Sequence, residues 1–406
     1  MNAETREEID VLFVILDVEF MLENAPVLQT QVGEQMLALV RQNIRCGLLT
    51  TYRDRERFER VIGQGLRAAG IAITLIEHRG RLSNLLRLAA QLRKMKTGPR
   101  VRRAYARGIW GPLVLLLSGR LSVIPYVYDV RGALADETLA RRSAKWKAKF
   151  FARIEDWCIR RAYRVSAVST PLANIVARRT GRSDIVVIPS CVRLSDASTT
   201  LHDGERVRAE LGFPPTAIVF VYSGGLDYYQ QVPAMLELWQ FLLSESDVRF
   251  LLLINDAPRN ETAGALARLG AFGDRMVRRS VKREQVAAHL AAADVGFMLR
   301  ERRLLNRSAS PVKFAEYLAA GLGIVASPET GDVSDLVTEH DLGALVDPRN
   351  LASGSTQVRQ WLAAHRSSLP DVRSRARQLA SSRYDWDAYA PVFAEFYTPA
   401  RHGQAD

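Results

Sequence analysis

Cysteine is scarce in this chain. Cys46, Cys158 and Cys191 are the only three in 406 residues, and none has a CxxC or Cys/His spacing. That excludes a disulfide scaffold and a thiolate zinc site, and predicts reduced, buried thiols of the cytoplasmic kind. Histidine is sparse too. The six residues, His78, His202, His289, His340, His365 and His402, show no metal-ligand spacing, and no Asp-x-Asp pair follows a strand-like run. Long apolar runs are missing. The longest, IWGPLVLLLSG, falls far short of the ~20 residues that span a bilayer. The opening MNAETREEID lacks a signal-peptide core. There is no internal repeat and no low-complexity tract. What remains is a globular chain, 48% apolar, long enough for two ordinary domains.

Acidic residues are in deficit, and unevenly so. The net charge is +12, yet Arg79 to Arg164 holds 21 Lys or Arg against 5 Asp or Glu, an excess of +16. The remainder is therefore mildly acidic. Such a patch meets phosphate in some form: nucleic acid, anionic lipid or a pyrophosphate substrate. Within it, RLSNLLRLAAQLRKMK sets Leu82, Leu85, Leu86, Leu88 and Leu92 broadly on one side, edged by Arg81, Arg87, Arg93, Lys94 and Lys96. This pattern fits a helix on an anionic membrane and equally a basic helix packed on a core. Nucleic acid is not expected, because no zinc-finger, RNP-like or heptad-and-basic pattern occurs.

Strand-like runs alternate with helical ones. IDVLFVILDV, CGLLTTY, IAITLIEH, IPYVYDV, RVSAVST and IVVIPS form one series. After the polar gap LSDASTTLHDG a second begins: AIVFVYSGG, VRFLLLIN, MVRRSV, DVGFML, GIVAS and GALVDP. Strand–helix alternation predicts parallel sheets covered by helices, and two series predict two Rossmann-like domains facing across a cleft. The linker falls at about Arg193 to Glu205.

The segment Ser308 to Asp332, SASPVKFAEYLAAGLGIVASPETGD, carries the chemistry. Ser310 suits an N-cap, Pro311 the first helical position and Gly321 the end. Lys313 and Glu316, three apart, share a face near the helix start. Helix-start N–H groups and Lys313 favour phosphate, while Glu316 suits sugar hydroxyls. Earlier, YSGGLDYYQQ places Gly224 and Gly225 just after a strand, as a phosphate-approaching loop or a plain turn. In YVYDVRGALADE, Asp129 and Arg131 emerge at a strand end as a functional pair or a structural ion pair. Ser169 or Thr170 caps a helix with Pro171 at its first position. Gly63 and Gly65 lie inside a helical pattern, so GQGLRAAG is not a dinucleotide fingerprint.

Pro311, Lys313, Glu316, Tyr317, Leu318, Ala319 and Gly321 resemble the donor-site signature of one subgroup of glycosyltransferase family 4. These are retaining enzymes with the GT-B fold, and the resemblance runs from about Tyr105 to Tyr397. It implies an α/β chain in which residues 1–193, with a returning 384–406 tail, form the acceptor domain and 194–383 the donor domain. It implies transfer of a sugar from a nucleotide-diphosphate donor to an acceptor hydroxyl, without cofactor or metal. Donor binding falls to Gly224, Gly225, Val281, Ser310, Lys313 and Glu316. Glu316 takes the ribose, and backbone of Val277 to Val281 passes the base. Asp129, Arg131, Lys313 and Glu316 are the catalytic candidates, with Arg107 and Tyr128 on the acceptor side. Together with the basic patch, it implies a glycan or lipid-linked acceptor in envelope or polysaccharide synthesis, at the inner membrane face. Three departures stand out. Gln230 and Gln231 lie where relatives often carry Lys, Ser308 lies where many carry a first Glu, and Tyr128-Asp129 replaces His-Asp. Asn306, Arg307 or Ser308 are candidates for the missing Glu's role. A GT-B epimerase and a non-catalytic partner subunit are the alternative readings.

Overall fold

The apolar, β-branched runs become two all-parallel sheets, as strands buried on both faces do. The structure, a computed structural model, describes residues 8–16, 28–95, 100–132, 145–194, 201–245, 247–254, 264 and 266–397. The first sheet contains β1 (Glu8–Ile15), β2 (Cys46–Tyr52), β3 (Ala72–Glu77), β4 (Arg100–Arg107), β5 (Tyr126–Val130), β6 (Arg164–Ala167) and β7 (Ile185–Val187), in the order β3-β2-β1-β4-β5-β6-β7. Helices α1 (Arg81–Lys94), α2 (Trp110–Leu117), α3 (Lys145–Arg161) and α4 (Thr170–Thr180) connect its later strands. The second sheet contains β8 (Ile218–Ser223), β9 (Val248–Leu253), β10 (Met276–Arg279), β11 (Val295–Met298), β12 (Gly323–Ala326) and β13 (Gly343–Leu345), in the order β10-β9-β8-β11-β12-β13. With it come α5 (Arg283–Ala291), α6 (Leu304–Arg307) and α7 (Val312–Ala320); α8 (Ala390–Tyr397) closes the described chain.

Strand β4, RVRRAYAR, has no counterpart among the expected strands, yet it lies between β1 and β5. Its charge sits at its two ends, at Arg100, Arg102 and Arg103 and again at Arg107. Arg102 Nε lies 2.5 Å from Glu8 Oε1 and 3.6 Å from Asp10 on the neighbouring strand. That guanidinium holds the Glu8 carboxyl down at about 2. Arg103 lies over the Tyr163 ring, and only Ala104, Tyr105 and Ala106 enter the core. The strand is legible as a strand only once its acidic neighbour is known.

The chain divides into two compact units, residues 1–191 with 386–406, and residues 192–385. Both crossing points lie together: the Val192 N–H donates to Tyr384 O at 2.9 Å, and Val192 bridges Asp385. The last helix returns to the first unit. Trp386 is fully buried there and donates to Thr30 O at 3.0 Å, and Phe393, Phe396 and Tyr397 pack with Val11, Phe13 and Leu48. All three cysteines are buried thiols.

Helix α1 corrects the expected apolar face. Leu85, Leu88 and Leu92 are buried in the core, while Leu82 and Leu86 are 71% and 53% exposed. A helix packed on a sheet buries the 85, 88, 92 stripe, which leaves the i−3 and i+1 neighbours outward. Lys96 lies outside the described residues.

Candidate active site

In each sheet the strand order reverses once, at β1/β4 and at β8/β11. Open parallel sheets bind ligands at the carboxyl ends of such strands, because connections leave in opposite directions there. In the C-terminal unit, β8 ends at Ser223 and is followed by Gly224 and Gly225; β11 ends at Met298, two residues before Arg300.

Gly224 has φ +145°, so its backbone requires glycine, and a Cβ there would sit 2.8 Å from Lys313 Nζ and push that ammonium aside. The turn is tied down by Tyr222, whose hydroxyl donates to Gly225 O at 2.5 Å. Tyr317, on α7, accepts the Ser223 N–H at 3.0 Å and so fixes that helix against the same turn. Its neighbour Lys313 is buried, donates from Nζ to Gln230 Oε1 at 2.9 Å and lies 4.1 Å from the Tyr222 ring centroid. Burial pulls this ammonium well below the usual lysine range, and Arg300 pushes it the same way.

Arg300 did not figure among the expected site residues. It is 8% exposed, with its guanidinium 4.9 Å from the Tyr229 ring centroid and its backbone N–H held by Ser327 Oγ at 2.8 Å. Burial lowers it as well, and its Nε has no hydrogen-bond partner among the described residues. Two cations thus share a buried site with no ion-pair partner among the described residues. The carboxylates that act on Lys313 are Glu316 and Asp227, and Glu316 is already bound by Arg283 of α5. The arrangement lacks negative charge, which is the electrostatic requirement of a diphosphate site.

The N-terminal unit treats its charge differently. Asp129, at the end of β5, is 2% exposed and accepts from the Tyr105 hydroxyl, from Arg131 Nε at 2.6 Å and from Ser166 Oγ at 2.8 Å. Arg107, at the end of β4, donates to Gln31 O at 3.2 Å. Burial lowers Arg107, and the nearby Arg131 lowers it further.

Two family models match the chain: residues 28–191 fit the one described as glycosyl transferase 4-like domain, and residues 203–379 fit glycosyl transferases group 1. Together they span most of the sequence. This chain belongs to the family 4-like glycosyltransferases of the GT-B fold. Solved structures with the same fold include Anabaena HepE in complex with UDP, with 17% identity, 95% of this chain and 98% of that chain covered, and a TM-score of 0.71. A glycosyltransferase from Rickettsia africae has 12% identity, coverage of 97% and 100%, and a TM-score of 0.73. Sucrose-phosphate synthase from Thermosynechococcus elongatus has 14% identity, coverage of 97% and 98%, and a TM-score of 0.68. A search of curated proteins by sequence finds no match.

Within this glycosyltransferase, the structure sorts the candidates. Gly224, Gly225, Lys313 and Glu316 converge with Gln230 and the unforeseen Arg300. Val281 sits in the turn between β10 and α5, half-buried against the core. Ser310 is not the cap: α7 starts at Val312 and Pro311 takes the N-cap position. Ser169 does cap α4, accepting from the Leu172 N–H at 3.2 Å. Tyr128 does not join the acceptor-side group. It is fully buried on the sheet face opposite Asp129, since adjacent strand residues point to opposite sides. Asn306 and Ser308 are internal ties of the loop around α6, bonding Glu301 O at 2.8 Å and Leu304 O at 2.9 Å, and Arg307 is exposed beside Glu329. Asn306 and Ser308 are thus held by backbone carbonyls of their own loop. Among the described residues no group of His, Cys, Asp or Glu is arranged to hold a metal ion, and no helix is long and apolar enough to cross a membrane.

Proposed function

We propose that this glycosyltransferase moves a sugar from a nucleoside diphosphate donor, held by the C-terminal unit, to a hydroxyl of an acceptor on the N-terminal unit, with retained configuration. The observation that carries the reading is the desolvated Arg300–Lys313 pair beside Gly224, because a diphosphate supplies the charge that this site lacks. Gly224 leaves the backbone open to the phosphates, Glu316 accepts ribose hydroxyls, and the backbone near Val281 faces the base. HepE, with its UDP, and a second HepE structure with UDP-glucose support a nucleotide-sugar as donor.

In the reaction the bond from the sugar C1 to the diphosphate oxygen breaks, and a bond from the acceptor oxygen to C1 forms on the same face. The departing phosphate oxygen takes the acceptor proton. Arg300 and Lys313 stabilise the charge that builds on that oxygen, so side-chain cations do the work a divalent metal does elsewhere. The +16 excess between Arg79 and Arg164, with the exposed Leu82, Leu86, Trp146 and Phe150, supports docking on an anionic membrane from the cytoplasmic side. That surface supports a lipid-linked or envelope glycan as acceptor.

Transfer of radiolabelled sugar from UDP-sugars to membrane lipid extract, in excess EDTA, tests this reading. Label should enter lipid with wild-type protein and not with Lys313→Met. Conversion of the free nucleotide-sugar without an acceptor would identify an epimerase instead.

A further inference from the structure

The N-terminal unit holds a second concentration of cationic side chains that the donor chemistry does not use. Arg107 and Asp129 are register partners on β4 and β5, and Arg131 follows β5 directly. Both guanidiniums therefore emerge at the carboxyl ends of adjacent strands, next to the β1/β4 reversal. Among the described residues one carboxylate serves them, and Asp129 is already committed to Tyr105, Ser166 and Arg131 Nε. Arg131 Nη1 is buried with no partner among the described residues. Gln31 Oε1 is likewise buried and unpartnered, although Gln31 Nε2 is fixed on Cys191 O at 2.9 Å and the Gln31 carbonyl is held by Arg107.

A buried guanidinium N–H without an acceptor calls for an oxygen anion, and a buried amide oxygen without a donor calls for a hydroxyl or N–H. The planar fork of arginine suits the oxygens of a phosphate. We propose that Arg107 and Arg131 bind a phosphate monoester, with Gln31 Oε1 receiving a hydroxyl beside it, so that the acceptor is a phosphate-bearing polyol. Asp129 is then a positioning residue: it holds Arg131 by one edge and leaves the other free. The word acceptor rests on the glycosyl-transfer reading above; the phosphate site itself does not.

The test uses the full chain with its donor cations removed, Arg300→Gln/Lys313→Met, so that phosphate heat reports the N-terminal unit alone. Calorimetric titration with glycerol 3-phosphate and with dihexanoyl phosphatidic acid should show binding. Arg131→Gln and, separately, Arg107→Gln should weaken it at least tenfold. Arg107→Gln leaves the Asp129–Arg131 pair intact, so its loss of binding is not a loss of fold. Equal binding of both probes means that a soluble phosphate monoester suffices; binding of the lipid alone places that phosphate on a lipid. Binding that ignores both substitutions, or no binding of either probe, overturns the proposal. UDP titration into wild-type protein is scored separately. Its failure, with phosphate binding intact, would sink the donor reading and leave this site standing.

Discussion

Both units place arginine at the carboxyl ends of their parallel strands, but they neutralise it differently. In the N-terminal unit, Asp129 sits between Tyr105, Ser166 and Arg131, and every oxygen it offers is used. In the C-terminal unit, Arg300 and Lys313 face aromatic rings and a glutamine amide, with no carboxylate in contact among the described residues. The first arrangement ties Arg131 to a carboxylate by one edge and leaves Arg107 on a backbone carbonyl. The second keeps charge in a desolvated place, at a cost to stability that a bound anion removes. Arginine at a strand end is thus not one feature but two, and its partners tell them apart.

Removing the C-terminal cations sharpens that contrast most. Lys313→Met should lower turnover by about 10²–10³, the range for deleting one preorganised charge-stabilising group. The same substitution should raise the melting temperature of the protein without nucleotide, because it relieves a buried charge. A fall in both quantities would mean that Lys313 is structural. The sign with pH follows. Lys313 is held below its ordinary value when folded, so between the two values the unfolded chain binds more protons. Wild-type stability should therefore rise with pH through that window below lysine's ordinary value, relative to Lys313→Met, while nucleotide affinity falls. Urea midpoints and calorimetry across the window check both directions.

Glu316→Ala should weaken nucleotide binding at least tenfold without unfolding the chain, since charge-assisted hydrogen bonds to the ribose are worth ~1.5–3 kcal/mol each. Unchanged affinity by calorimetry would remove Glu316 from the donor site and leave it as the partner of Arg283.

The N-terminal scaffold should respond in stability. Ser166→Ala strips one hydrogen bond from a buried carboxylate, and about 1–3 kcal/mol should be lost in urea unfolding. A loss of nucleotide affinity in this variant, with stability unchanged, would contradict the division of roles. The smallest effect is expected at the surface. Trp146→Ala/Phe150→Ala should reduce partition onto phosphatidylglycerol vesicles severalfold at fixed salt, and Leu85→Ala should instead destabilise the fold. Vesicle binding indifferent to both salt and these aromatics would leave the basic patch to soluble phosphates.

The strands were legible wherever a strand is buried on both faces, because such a strand must be an apolar run. β4 failed that test because its arginines find partners far off in sequence: Arg102 pairs with Glu8 and Asp10, almost a hundred residues earlier, and Arg103 lies over Tyr163. Helix α7 was legible from its punctuation, Pro311 and Gly321, to within a residue. Arg300 was not, since ERR after it reads as a charged surface loop; the available signal was its position two residues beyond the β11 run. The leucines of α1 were read as one face, and only the sheet beneath it shows which stripe it takes.

What the sequence by itself determined is local: parallel strands from apolar runs, a helix with hard ends, a glycine turn after a strand, and the Lys313–Glu316 spacing. These follow from backbone periodicity, capping and turn chemistry within a few residues. What the tertiary structure decided is pairwise and distant. It set Lys313 on Gln230 and over Tyr222, brought Arg300 to the same turn, tied Arg131 to Asp129, and turned Tyr128 into the core. Each of those depends on which strands become neighbours and which face each presents, and burial then sets the charge of whatever is enclosed.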